Sequence, residues 1–251
     1  MKKTIKYENK KVLVIGLAKS GKAAARLLRE LKANVVINDR NPLEENPDAV
    51  EMMAEGFEVV TGGHPLELLD QGFDLIVKNP GIPYRKVPLL MEAIKRKIPI
   101  LTEVQLAYDV SEAPFIGITA TNGKTTTTTL IYEMLEEDQL KPLIAGNIGE
   151  VASLVAQQAS KEQVLVTELS SFQLMGIDSF TPQISLLLNI TEAHLDYHTD
   201  IDEYRQAKLN LIANQTADQF CVYNAEDEVI VNGLSRTKAT CVPFSLTSVV
   251  D

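Results

Sequence analysis

Apolar residues in this chain gather into short runs near positions 12–16, 34–38, 57–61, 73–77, 98–101, 114–119, 142–145, 163–168, 183–189, 219–223 and 239–244. Most of the intervening stretches are amphipathic at helical spacing, so the pattern alternates strand and helix from end to end. Such alternation predicts an α/β fold built on parallel sheets flanked by helices. The runs VLVIG, DLIVKN and ISLLLN are apolar almost throughout rather than at every second residue, as expected for strands covered on both faces. Ligands on sheets of this kind sit beyond the carboxyl ends of the strands. The residues just after each run are therefore the first candidates for chemistry. A boundary is expected near 110–113, where the helix-like TEVQLAYDV gives way to Ser111-Glu112-Ala113-Pro114 and a new strand, APFIGITA. That divides the chain into a domain of residues 1–111 and another of residues 112–251.

Composition narrows this picture. A length of 251 residues allows two ordinary domains, each with its own core. With 45% hydrophobic and 23% charged residues, disorder, collagen and coiled coil are excluded. A formal net charge of −10 repels polyanions, which argues against nucleic acid or an acidic membrane surface as the partner. Any phosphate must be held locally. Cys221 and Cys241 lie outside any Cys-x-x-Cys spacing and are too few for a disulfide framework; both are expected to be buried, inert thiols in a reducing compartment. The apolar stretch VLVIGL follows MKKTIKYENKK and is too short for a signal peptide or membrane span. No membrane insertion, a cytoplasmic location and a monomer are the expectations.

Residues 11–39 read strand, glycine-rich turn, helix, strand, with Gly16-Leu17-Ala18-Lys19-Ser20-Gly21 in the turn and Asp39 closing the second strand. This is the skeleton of a dinucleotide-binding unit, except that Ala18 occupies the middle glycine position of G-x-G-x-x-G. Its methyl group obstructs the close approach of a dinucleotide pyrophosphate, which disfavours a nicotinamide cofactor and an oxidoreductase reading. What survives is a helix start with Ser20 and free N–H groups, suited to a diphosphate of another ligand or to no ligand at all. The turn Lys78-Asn79-Pro80-Gly81-Ile82-Pro83 follows DLIVKN at the same sheet edge, and by itself is compatible with a plain rigid connection.

The strongest signal is GITATNGKTTTTTL at 117–130, a strand, a Gly-Lys-Thr turn and a helix. A phosphate loop needs backbone N–H groups around the phosphate, a lysine for its charge and a hydroxyl for Mg²⁺. Gly123, Lys124 and Thr125 supply these in order, although Ile118 stands where the strict G-x-x-x-x-G-K-[ST] motif has glycine; a threonine-rich helix start is the alternative. Glu168 ends the buried run at 163–168, where a carboxylate commonly supports Mg²⁺ opposite such a loop, or simply forms a surface charge. SLLLNITEAHLDYH places Asn189, Thr191, His194 and His198 after another buried strand. Asp200-Ile201-Asp202-Glu203 opens a helix carrying Lys208, by itself an ordinary solvated position.

Taken in order, NGKTTT (122–127), GNIG (146–149), ELSSFQL (168–174), NITEAHLDYH (189–198) and YRQAK (204–208) resemble the Mur ligases, ATP-dependent amide-forming enzymes of peptidoglycan precursor synthesis. GLAKSG, NPGIP at 79–83 and especially ELSSFQL are similar to the D-glutamate-adding branch of that family. The resemblance implies a Rossmann-like N-terminal domain followed by a P-loop-type ATPase domain with a mainly parallel sheet. It implies that the first domain holds the UDP of UDP-N-acetylmuramoyl-L-alanine, with Lys19, Ser20, Asp39, Asn79, Pro80 and Gly81 around it. ATP is implied on Asn122, Gly123, Lys124, Thr125 and Thr126. Thr125 and Glu168 would hold one Mg²⁺, and His194 and Lys208 another, the lysine as a carbamate, whose oxygens suit Mg²⁺ where an ammonium would be repelled. Asn147 and Ser170 would contact the sugar-peptide. Lys124, His194 and Lys208 are the implied catalytic residues. The implied reaction phosphorylates the alanyl carboxylate and passes the acyl group to the amine of D-glutamate. Two departures bear on it. Ala120 replaces the first glycine of the family's Gly-Thr-Asn-Gly-Lys loop, adding a methyl group where backbone wraps phosphate and where a positive φ would disfavour it. Set against the family pattern, the third, C-terminal domain is expected to be missing from this sequence and the ATPase domain to be incomplete at Asp251. The chain is therefore expected to be a fragment that is inactive alone, or a non-catalytic nucleotide-sugar-binding module.

Overall fold

The computed structural model describes residues 1–193 and 196–247. The chain forms two compact units, one of Lys3–Leu106 and one running from Ala107 onward together with Met1–Lys2. The division falls inside the helix Glu103–Val110, a few residues before the loop at 110–113 that the sequence marks as the boundary.

In the first unit five strands, β1 (Lys11–Ile15), β2 (Asn34–Asn38), β3 (Glu58–Val60), β4 (Leu75–Lys78) and β5 (Ile100–Leu101), form one parallel sheet in the order β3-β2-β1-β4-β5. Helices α1 (Lys19–Glu30), α2 (Pro47–Ala54), α3 (Pro88–Lys95) and α4 (Glu103–Val110) connect or follow them. Strand β1 is buried along Val12–Ile15 and β4 along its whole length, which is why both read as continuous apolar runs. The chain goes from β1 outward to β2 and β3, then returns to lay β4 on the other side of β1. That reversal opens a crevice beyond the carboxyl ends of β1 and β4, where ligands of doubly wound sheets bind. Helix α1 packs tightly over the turn below it: a Cβ built on Gly21 would lie 1.8 Å from the carbonyl oxygen of Gly16. Only glycine permits that approach.

The other unit carries six strands in one parallel sheet: β6 (Phe115–Thr119), β7 (Pro142–Gly146), β8 (Val164–Glu168), β9 (Ile184–Leu187), β10 (Phe220–Asn224) and β11 (Thr240–Phe244), in the order β11-β10-β9-β6-β8-β7. Its helices are α5 (Lys124–Glu137), α6 (Ala152–Gln158), α7 (Ser171–Leu174), α8 (Ile201–Ala213) and α9 (Glu228–Gly233). Strand β6 lies between β8 and β9, so the ends of these three strands converge on one stretch of the sheet edge. Ile116, Ile118 and Val166 form a core cluster on the sheet, and Leu187, Ile212 and Cys221 belong to another. Cys221 is buried as expected; Cys241, its register partner on β11, is exposed, because β11 is an edge strand. No helix among the described residues is long and apolar enough to cross a membrane.

Candidate functional site

Beyond β1, β2 and β4 of the first unit lies a cavity of about 530 Å³. Gly16, Leu17 and Ala18 contribute from the end of β1, Asp39, Arg40 and Asn41 from β2, and Asn79, Gly81, Ile82 and Pro83 from β4. Asp39 is largely committed to the protein: its Oδ2 accepts from Leu17 N at 2.8 Å, and Oδ1 accepts from Asn41 N and Asn46 Nδ2, both at 3.0 Å. A carboxylate offers about four acceptor sites, so little of this one remains for a ligand. Asn79 is similarly tied, donating from Nδ2 to Ser20 Oγ at 3.1 Å and accepting at Oδ1 from Gly81 N at 2.9 Å. Of the sequence-derived residues, Asp39, Asn79 and Gly81 line the cavity, whereas Lys19, Ser20 and Pro80 do not. The sequence reading missed Asn46, Asp48, His64 and Lys86, which also line it. These follow no strand-end motif and arrive through loops whose course only the fold sets. Burial holds the His64 imidazole below its ordinary pKa.

In the other unit, β6 runs into the turn Ala120–Gly123 and then α5. Gly123 precedes the helix at φ +87°, a left-handed conformation that strains any side chain with a Cβ. Lys124 folds back on the loop, its Nζ donating to the carbonyls of Ala120 at 2.9 Å and Thr121 at 3.0 Å. Burial lowers its pKa, against an opposing pull from Glu168. Asn189, at the end of β9, braces the turn: Asn122 N donates to its Oδ1 at 2.9 Å, and its Nδ2 donates to Asn122 O at 3.0 Å. Thr121 Oγ1 and the Tyr204 hydroxyl are 2.8 Å apart. Thr126 is exposed in the first turn of α5.

Glu168, buried at the end of β8, joins three parts of the site. Thr125 Oγ1 donates to its Oε2 at 2.8 Å and Asn147 Nδ2 to its Oε1 at 2.7 Å. Lys208 is not a solvated helix position. It is 2% exposed, and its Nζ donates to Ala120 O at 2.7 Å and Thr119 Oγ1 at 3.3 Å. Burial, assisted by the positive charge of Lys124, pushes its pKa down to about 7 against the opposing effect of Glu168. Ser170 caps α7, accepting from Gln173 N at 3.3 Å and donating to Gln173 Oε1 at 2.9 Å. Ala120 is fully buried, and the non-glycine residues with positive φ among those described do not include it. Its methyl group therefore belongs to the core and meets no backbone strain. His194 lies outside the described residues.

Comparison with known proteins bears on both units. The model of the Mur ligase middle domain matches residues 118–250, and that of the Mur ligase MurD-like N-terminal domain matches residues 10–102. A curated UDP-N-acetylmuramoylalanine-D-glutamate ligase of Geobacillus sp. (strain WCH70) is 56% identical over 250 residues, 100% of this chain and 55% of the relative. Its counterpart from Listeria monocytogenes serotype 4b is 54% identical over 248 residues, 98% of this chain and 54% of the relative. The chain thus spans about half the length of the curated relatives it matches. The crystal structure of UDP-N-acetylmuramate:L-alanyl-gamma-D-glutamyl-meso-diaminopimelate ligase from Neisseria meningitides covers 94% of this chain and 78% of its own, with a TM-score of 0.58 and 17% identity, a likeness of fold. With both units matched by family models at the stretches that form the cavity and the Gly-Lys-Thr turn, the chain belongs to the Mur ligase family.

Proposed function

We propose that the chain serves the ATP-dependent addition of D-glutamate to UDP-N-acetylmuramoyl-L-alanine, holding the UDP-sugar in the cavity of its first unit and ATP on the turn Asn122–Thr126 of the other. The observation that carries the reading is the convergence of Gly123, Lys124, Thr125, Glu168 and Lys208 beyond β6, β8 and α8, a phosphate loop faced by a carboxylate and a buried amine. The donor chemistry fits Mg²⁺. Thr125 Oγ1 and Glu168 Oε2 are hard oxygen donors already within 2.8 Å of each other, and Mg²⁺ commonly takes one or two protein ligands and completes its shell with phosphates and water. Bound there, Mg²⁺ would neutralise the charge of the transferring phosphoryl group.

The protein's own share is positioning. Asn147 orients Glu168 from one side while Thr125 engages the other oxygen, so the carboxylate is fixed before any ligand arrives. Lys124 reaches the phosphates by exchanging its two loop carbonyls for phosphate oxygens, a stronger charge-assisted contact. Lys208, its pKa lowered to about 7, is a neutral amine in a substantial fraction of molecules at neutral pH, the form that combines with CO₂ to give a carbamate; together with His194 it would then offer another Mg²⁺ its ligands. Asn147 and Ser170, one at the end of β7 and the other at the start of α7, would contact the sugar-peptide. Asp39, with most of its acceptors filled, acts mainly by shaping the cavity wall for the UDP.

The test begins with binding. Calorimetric titration of MgATP and of UDP-N-acetylmuramoyl-L-alanine should give one site each, with MgATP lost in Lys124→Ala and the UDP-sugar retained. A shared loss, or no UDP-sugar binding, would refute the assignment of two ligands to two units. Amide formation is then assayed with D-glutamate, measuring phosphate and amide separately.

A further inference from the structure

Beneath the cavity wall formed by the β4 turn lies a lysine that no part of the proposed function uses. Lys78 is the last residue of β4 and is 1% exposed. Its Nζ donates to three carbonyl oxygens of the turn that follows, Ile82 at 3.0 Å and Asn79 and Pro80 at 3.3 Å each, and sits 4.5 Å from the centre of the Tyr84 ring. The sequence of the turn explains why an amine is needed. The carbonyls of Asn79 and Ile82 belong to peptide bonds with Pro80 and Pro83, which carry no N–H. Of the turn's own N–H groups, that of Gly81 is directed to Asn79 Oδ1 and that of Ile82 to Asn79 O. The turn therefore brings three part-buried carbonyls toward one point with few donors of its own, and acceptors shielded from water need partners. A flexible side chain bearing up to three N–H donors meets that demand. Sealing an amine here has a cost, visible in a pKa that burial pushes down to about 7.

The outer side of the same turn is functional surface: Asn79, Gly81, Ile82 and Pro83 line the cavity, and Ile82 N closes the turn on Asn79 O at 3.1 Å. We propose that Lys78 is a positioning residue for the ligand of the first unit, gathering the carbonyls of Asn79, Pro80 and Ile82 from behind so that the turn holds the shape of the cavity wall. The identity of that ligand as a UDP-sugar rests on the function proposed above; the clamp itself does not.

Lys78→Met keeps the length and apolar stem of the side chain while removing its donors. Two measurements follow. Without ligand, amide hydrogen exchange at Gly81 and Ile82 should accelerate roughly tenfold or more while Val12–Ile15 of β1 keep their rates, because one hydrogen-bonded donor commonly contributes about a factor of ten. With ligand, affinity for UDP-N-acetylmuramoyl-L-alanine should fall by roughly tenfold and that for MgATP should not change, with Lys78→Gln, which retains N–H donors, falling between wild type and Lys78→Met. Unchanged exchange in the turn would overturn the proposal, as would exchange accelerated equally in β1 with both affinities lost, which is the signature of general destabilisation. Should the wild type fail to bind the UDP-sugar, the reading of the cavity falls, and the ligand-free exchange still decides whether Lys78 holds the turn.

Discussion

Lys78 also gives the structure a measurable proton linkage. In the unfolded chain this lysine titrates near its ordinary 10.5, whereas burial in the folded chain brings it to about 7. Between these values the unfolded state binds the extra proton, so stability rises with pH across that window; below about 7 both states are protonated and the contribution is flat at its least favourable. Integrating the difference in bound protons from pH 7 to pH 9 gives a gain of about 2 kcal/mol from this one group. Lys78→Met has no such term. The stability of the wild type relative to Lys78→Met should therefore improve by that amount between the two pH values, whatever the absolute effect of the substitution. The assay is urea unfolding at both pH values, followed by pulsed hydrogen exchange on peptides from residues 11–38, so that the transition observed belongs to the first unit. Other titrating groups are common to both proteins and cancel. A relative stability that changes by less than about 0.5 kcal/mol, the usual error of such differences, would show that the amine is protonated in the folded chain at neutral pH and that burial does not dominate its environment.

Three further outcomes follow from the geometry. Gly21→Ala places a Cβ within 1.8 Å of Gly16 O and should destabilise the first unit by about 3 kcal/mol or prevent its folding, while ATP binding by the other unit persists, as checked by thermal unfolding and calorimetry. Glu168→Gln should leave thermal stability within about 1 kcal/mol, since an amide can still meet Asn147 or Thr125, but should abolish the Mg²⁺ dependence of nucleotide affinity in titrations with and without the metal. In isotopically labelled bicarbonate above pH 7, a carbamate signal should be seen by NMR in the wild type and be missing in Lys208→Ala, because the wild-type amine is largely neutral there.

The strand and helix pattern was legible along the chain because parallel strands covered on both faces leave unbroken apolar runs such as Val12–Ile15 and Leu75–Val77. The Gly-Lys-Thr turn was legible for a related reason: it is a local object, in which the left-handed Gly123 and the proposed phosphate and metal ligands Lys124 and Thr125 fall within three residues. Glu168 could be named from its place at the end of a buried run, and so could Asn79. What the sequence could not supply was the neighbourhood of each group. Strand order is set by contacts between residues far apart in the chain, and it is strand order that puts β4 beside β1 and β6 between β8 and β9. From this follow the commitment of Asp39 to Leu17, Asn41 and Asn46, the arrival of His64 and Lys86 at the cavity, and the exposure of Cys241 on an edge strand. Burial is likewise a property of the whole fold. Lys78 and Lys208 carry the same side chain as the many solvated lysines of this protein, and only the packing around them turned one into the partner of three carbonyls and the other into an amine poised near neutrality.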